Sequence, residues 1–183
     1  MPGSPKGAQS ALRAIRLLKL FSAERPRLGL SELSELADLN KTTTYRLLQA
    51  LLSSLAAETG ETATLEIPVE DTMLILDEIS GGHRIAAGGN VGTRWAMHAT
   101  STGKAIIAFS DNGMGRLSDR LTPLTARTIT NPSDLEDQLA VIRRRGFAES
   151  VDELEDGFTG VGTVVRGTGG EILAAMSICG PTQ

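Results

Sequence analysis

The chain has 183 residues, 40% of them apolar and only 3% aromatic, with a formal net charge of −4. That length suits one medium domain or two small ones, no apolar run approaches the ~20 residues of a membrane helix, and the opening "MPGSPKGAQS" lacks the apolar stretch of a signal peptide, so a cytoplasmic protein without membrane contact is expected. A single cysteine, Cys179, excludes an internal disulfide, and with only His83 and His98 beside it neither a metal site nor a cofactor is expected.

The charge is uneven. Residues 1–55 hold eight Lys/Arg against four Asp/Glu, and residues 56–183 hold ten against eighteen. A basic first part joined to an acidic second part is the asymmetry of a nucleic-acid-binding module attached to a partner domain.

Residues 1–9 read as a disordered tail. "SALRAIRLLKLF" then sets Leu12, Ile15, Leu18, Leu20 and Phe21 on one face and Arg13, Arg16 and Lys19 off it, which predicts an amphipathic helix ended by Pro26 and Gly29. Ser31 takes the N-cap position of a short second helix with Leu33, Leu36 and Ala37 on one face. A three-residue corner, Asp38-Leu39-Asn40, leads to a third helix beginning at Lys41 and Thr42. Helix, short helix, tight turn and helix is the helix-turn-helix plan.

At 100° per residue, Thr44, Leu47, Leu48, Leu51 and Leu55 fall on one face of the third helix, the expected buried stripe. Thr42, Arg46, Gln49 and Ser53 fall opposite, with Thr43 and Tyr45 on the flanks. Guanidinium, amide and hydroxyl groups of this kind reach base edges and phosphates in a major groove. The DNA-contacting set is therefore Ser31, Lys41, Thr42, Thr43, Tyr45, Arg46 and Gln49.

From about Ala56 the texture changes to short apolar or β-branched runs, "TATLEIPV", "MLILDEI", "VGTVV" and "EILAAMSIC", alternating with helical segments, which predicts an α+β domain. "MHATSTGKAIIAF" places Thr100, Ser101 and Thr102 ahead of a helix from about Gly103 to Phe109. Free N–H groups and three hydroxyls at a helix start suit a small carboxylate or phosphate, and equally an ordinary N-cap. The segment is not a P-loop, since His98 stands where the first glycine belongs. "NPSDLEDQLAVIRRRG" predicts a second helix, with Pro132 at its start, Leu135, Leu139 and Ile142 as its stripe, and Arg143–Arg145 before Gly146. In the last strand Ile172, Ala174, Met176 and Ile178 form an apolar face, and the other face ends in Ser177 and Cys179, which suits either a cavity wall or close packing. Cys179 has no visible partner constellation and reads as a buried, inert thiol.

"SALRAIRLLKLF", "GLSELSELADLNKTTTYRLLQAL", "LAAETGETATL", "VGTRWAMHATSTGKAIIAF", "TPLTARTIT" and "DELEDGFTGVG…ILAAMSICGP" run in order along nearly the whole chain, and in them it resembles the IclR (isocitrate lyase regulator type) bacterial transcriptional regulators. The resemblance implies a winged helix-turn-helix over residues 10–54 and a GAF-like effector-binding domain over 55–183, assembled as homodimers or homotetramers. It implies that an effector is bound by Thr100, Ser101, Thr102, Ser150, Gly160, Ser177 and Cys179. The family's wing and linker helix are absent between the recognition helix and "LAAETGE", the join falling between Leu48 and Leu55, and the numbering is expected to pass over a stretch there. The family also continues beyond "GPTQ" into a closing helix.

The expected function is operator binding to double-stranded DNA, modulated by a small-molecule effector, an organic acid and aliphatic rather than aromatic given so few aromatic residues; no catalysis is expected. The alternatives are an enzyme using Cys179 or His98 in the C-terminal pocket, and a metabolite-sensing module that binds no DNA.

Overall fold

The structure, a computed structural model, describes residues 41–82, 91–118, 120–166 and 172–183. Leu52–Val164 and Ala174–Gln183 form one compact unit, which helix α1 (Lys41–Thr59) enters from its N-terminal side. No Gly or Pro interrupts "KTTTYRLLQALLSSLAAET", so α1 passes through the join between Leu48 and Leu55 in one piece. Gly60, at φ 76°, ends it, its N–H bonded to the Ala56 carbonyl at 2.8 Å.

Burial corrects the stripe expected for the end of this helix. Leu52, outside that stripe, is fully buried and Ala56 nearly so, whereas Leu55 is half-buried. From Leu52 onward the helix belongs to the second unit, whose core takes the 52/56 edge instead of the continuation of the Leu47–Leu51 line.

Six strands follow: β1 (Thr62–Val69), β2 (Thr72–Ile79), β3 (Arg94–Ala96), β4 (Ala148–Val151), β5 (Phe158–Arg166) and β6 (Ile172–Pro181). They form one sheet in the order β3-β2-β1-β6-β5-β4, with β1 antiparallel to β2 and β6, β2 to β3, and β4 to β5. β1 lies inside this sheet, and Thr62 to Ile67 are all buried, so both of its faces are covered. The β1–β2 register slips between Leu65 and Glu66, where β2 carries Leu76 as an extra residue, while the β1–β6 register runs on unbroken.

Helix α2 (Ser101–Phe109) packs against β1, β2 and β4, and against helix α3 (Pro132–Arg145). Its residues 101–108 are all buried, as they must be between a sheet and a second helix. In α3, Asn131 caps the start by accepting from the Ser133 N–H, Pro132 opens the first turn and Gly146 closes it at φ 86°. Leu135, Leu139 and Ile142 are 0–1% exposed, the stripe that the sequence predicts. No described helix is long and apolar enough to cross a membrane.

Candidate functional site

The start of α2 is set by packing before it is set by chemistry. The backbone of Met97, in the 3₁₀ turn Met97–Ala99, lies so close to Gly103 that a Cβ there would overlap it, which fixes α2 directly on that turn. Thr100 is the N-cap: its hydroxyl accepts from the Gly103 N–H at 3.1 Å and its carbonyl from the Lys104 N–H at 2.9 Å. The helix thus begins two residues earlier than the sequence predicts, because the cap is the first of the three hydroxyl residues and not the last. Ser101 and Thr102 occupy the first turn, 5% and 1% exposed.

Strands bring the remaining candidates to this turn. A Cβ on Gly160 would stand 3.0 Å from Ser101 Oγ and 3.8 Å from the Cys179 Cβ. One on Gly162 would stand 3.0 Å from the same hydroxyl and 3.1 Å from the Thr102 backbone nitrogen. Ser101 is therefore bracketed by two glycines of β5, and only hydrogen side chains leave it room. Ser177 pairs with Thr64 across the β1–β6 ladder, their hydroxyl oxygens 2.7 Å apart, and Cys179 pairs with Thr62. Ser150 faces Gly160 across β4–β5, but its hydroxyl is committed to the Ala99 carbonyl at 2.6 Å. All seven expected effector residues are buried, and Ser101, Gly160 and Cys179 meet directly. Thr100 and Ser150 serve the backbone that holds the turn.

In the last strand Ala175, Ser177 and Cys179 are all buried, whereas on the other face Ala174 is buried and Ile172, Met176 and Ile178 are half-buried. The small, weakly polar face is thus a covered one, as both a cavity wall and close packing require.

Two buried charged side chains were not legible from the motifs. The Glu66 carboxyl accepts from Thr64 at Oε1 and from Thr102 at Oε2, both at 2.7 Å. Burial raises its pKa, with the two hydroxyls opposing the shift and the charge of Glu78 adding to it. A chain of hydrogen bonds thus runs from Ser177 through Thr64 and Glu66 to Thr102. In "TATLEIPV" Glu66 shares a period-2 face with Thr62 and Thr64, which reads as solvent-facing unless the strand is known to be internal. Lys104 is the second: fully buried, its ammonium is 2.5 Å from Glu153 Oε1. Burial lowers the Lys104 pKa against the opposing pull of Glu153.

Neither candidate reactive group is set up for catalysis. The Cys179 thiol is pushed up to about 12, first by burial and then by the carboxylates of Glu66, Glu78 and Glu61, so it stays protonated at neutral pH. His98 is buried with Nε2 on the Thr122 carbonyl at 3.0 Å. His83 lies outside the described residues. Among the described residues no three His, Cys, Asp or Glu side chains cluster as metal ligands. The arrangement offers hydroxyls, a helix N-terminus and one buried acid, which is the chemistry of ligand recognition.

Of the expected DNA-contacting residues, Ser31 lies outside the described residues. Lys41, Thr42, Thr43, Tyr45 and Arg46 are in α1, with their side chains outside the described set. Gln49 is half-buried and Ser53, on the same expected face, is exposed.

Comparison with known proteins places the two parts of the chain in one context. The profile of the bacterial transcriptional regulator IclR C-terminal domain matches residues 37–183, and that of the IclR helix-turn-helix domain matches residues 10–61. The HTH-type transcriptional regulator Rv1719 of Mycobacterium tuberculosis is 28% identical over 218 residues, covering 97% of this chain and 84% of its own length. Because 218 aligned positions exceed the 183 residues present, at least 35 of them (218 less 183) have no counterpart here. The Thermotoga maritima IclR crystal structure superposes with a TM-score of 0.68 at 22% identity, over 96% of this chain and 87% of that one. The inducer-binding domain of the Acinetobacter transcription factor PobR, a double mutant in complex with 3-hydroxybenzoic acid, gives 0.68 at 25% identity over 75% of this chain and 82% of its own.

Proposed function

The chain belongs to the IclR family of DNA-binding bacterial transcriptional regulators, and from that premise we propose that its C-terminal domain senses a small organic acid at the N-terminus of α2. The observation that carries this reading is the convergence of Ser101, Thr102, Gly160, Ser177 and Cys179 on one buried helix start. The proposed contacts to the effector carboxylate are the Ser101 hydroxyl and the first N–H groups of α2, where the helix dipole favours an anion. Glu66 stands in the same cluster, and an anion is tolerated beside it when its carboxyl carries a proton, as its raised pKa favours. Effector affinity should therefore strengthen as pH falls toward the acidic range, and Glu66→Gln should flatten that dependence. A relative's inducer-binding domain being solved with 3-hydroxybenzoic acid supports the carboxylate class.

On the DNA side, Arg46 is the proposed base-contacting residue, with Lys41, Thr42, Thr43, Tyr45 and Gln49 around it and Ser31 at the preceding cap. Residues 10–54 form the proposed DNA-binding module and 55–183 the sensor, working as a homodimer or homotetramer in the cytoplasm. α1 is followed, after Gly60 and Glu61, by β1, which carries Thr64 and Glu66. A ligand that shifts β1 thereby acts on the helix that carries Arg46, through its differential affinity for two states.

The test is a thermal-shift screen of the full chain with aliphatic and aromatic carboxylic acids, followed by duplex binding with and without the active compound. Ser101→Ala, which removes the hydroxyl without adding bulk, should weaken the acid's stabilisation and its effect on DNA while leaving DNA affinity intact. Loss of both properties together would contradict a separate sensing site.

A further inference from the structure

Beside the buried stripe of α3, where Gln138, Val141, Ile142 and Arg145 approach β4 and the segment around Arg127, lies an open cleft of about 470 Å³ that the seven effector residues do not line. Its wall contains two acceptor atoms with no donor among the described residues. One is Oε1 of Gln138; the other is Oε2 of Glu153, a residue only 6% exposed. A buried oxygen without a donor is costly, and a bound ligand that carries hydrogen-bond donors would satisfy both atoms.

The cations on the same wall are already engaged. Arg145 is held by the Glu149 carboxylate at 2.9 Å, by the Phe147 carbonyl at 3.0 Å and over the Phe147 ring. Arg127, 67% exposed, stands 3.7 Å from Asp152, a loose surface contact that leaves its guanidinium able to turn toward the mouth. Ile129, Val141 and Val151 supply apolar surface. The open acceptors require a ligand that donates hydrogen bonds, the aliphatic wall requires an apolar body, and Arg127 accommodates a carboxylate.

We propose that this cavity is a second small-molecule site, separate from the effector site, and that it takes an aliphatic amino acid. The ammonium group lies between Glu153 Oε2 and Gln138 Oε1, and the carboxylate faces Arg127. The site is wired to α2: the other oxygen of Glu153 holds Lys104, two residues after Thr102. An ammonium on Oε2 shares that carboxylate with Lys104, so occupancy bears on the same helix start that the effector uses.

The test uses the full chain and three matched probes: L-leucine, 4-methylpentanoate, which lacks the amine, and 3-methylbutylamine, which lacks the carboxylate. Binding is followed by calorimetry and by saturation-transfer NMR. L-leucine should bind saturably, and 4-methylpentanoate at least about tenfold more weakly, the consequence of losing a charge-assisted hydrogen bond. Val141→Trp, which fills the cavity from a 40%-exposed position, should abolish leucine binding, and Gln138→Leu should weaken it. Neither variant disturbs the Lys104–Glu153 pair, so folding is preserved and is verified by circular dichroism. Val141→Trp should leave stabilisation by the effector acid in place, which separates this site from the effector reading. Absence of binding by both amine-bearing probes, equal binding by 4-methylpentanoate, or leucine binding that survives Val141→Trp would each overturn the proposal.

Discussion

Thr102 shows how a single hydroxyl can serve both fold and site. It is the donor to Glu66 Oε2, and both groups are nearly inaccessible. Thr102→Val keeps the shape and removes the donor, so it should destabilise the fold by about 1–3 kcal/mol in urea unfolding. The Glu66 proton gives a second measurable consequence. Its folded pKa is raised, so the native chain holds this proton more tightly than the unfolded chain does. The associated stability is fully present below the unfolded pKa and is lost as pH rises through the folded value. Glu66→Gln should therefore lose less stability than the wild type as pH rises above the ordinary carboxylate range. Hydroxyls before an apolar helix could be read as a candidate site because helix starts leave N–H groups unmet. Glu66 could not, because its burial depends on β1 being internal to the sheet, which is set by distant strands.

At the scale of elements, legibility followed local capping. α3 carries its own boundaries in Asn131, Pro132 and Gly146 and its own stripe in Leu135, Leu139 and Ile142. Leu139→Ala, at a fully buried position, should cost about 2–5 kcal/mol. Strand β6 was harder to read. Alternation identified its two faces, but which is the more covered depends on distant elements, and the side with Ser177 and Cys179 proved the more buried. The pairing of α2 with the β4–β5 connection through Lys104 and Glu153 joins residues 49 positions apart and has no local signature. Lys104→Met alone leaves a buried carboxylate without its cation and should cost about 3–5 kcal/mol. The double change Lys104→Met with Glu153→Leu should recover most of that loss, because the ion pair is expensive to break and cheap to replace.

For the whole molecule, a basic N-terminal part and an acidic remainder match the proposed division between DNA and a small ligand. The helix-turn-helix order was readable from residue spacing and the resemblance to the IclR regulators from its motifs, and the matched family profiles agree with both. The passage between the two parts was not readable in the same way. A domain boundary near residue 54 falls within α1, which has no breaker from Lys41 to Thr59. The central claim is that this chain binds operator DNA under the control of an acid held at the start of α2. Arg46→Ala should weaken that binding by about 1–3 kcal/mol if the arginine pairs with a guanine. The most direct measurement is fluorescence anisotropy of a labelled duplex from upstream of the protein's own gene, titrated with the full chain with and without the stabilising acid. The account predicts binding tighter than to a scrambled duplex, weakened by salt, and shifted by the acid in the wild type but much less in Ser101→Ala. Equal affinity for both duplexes, or an acid effect undiminished in Ser101→Ala, would contradict it.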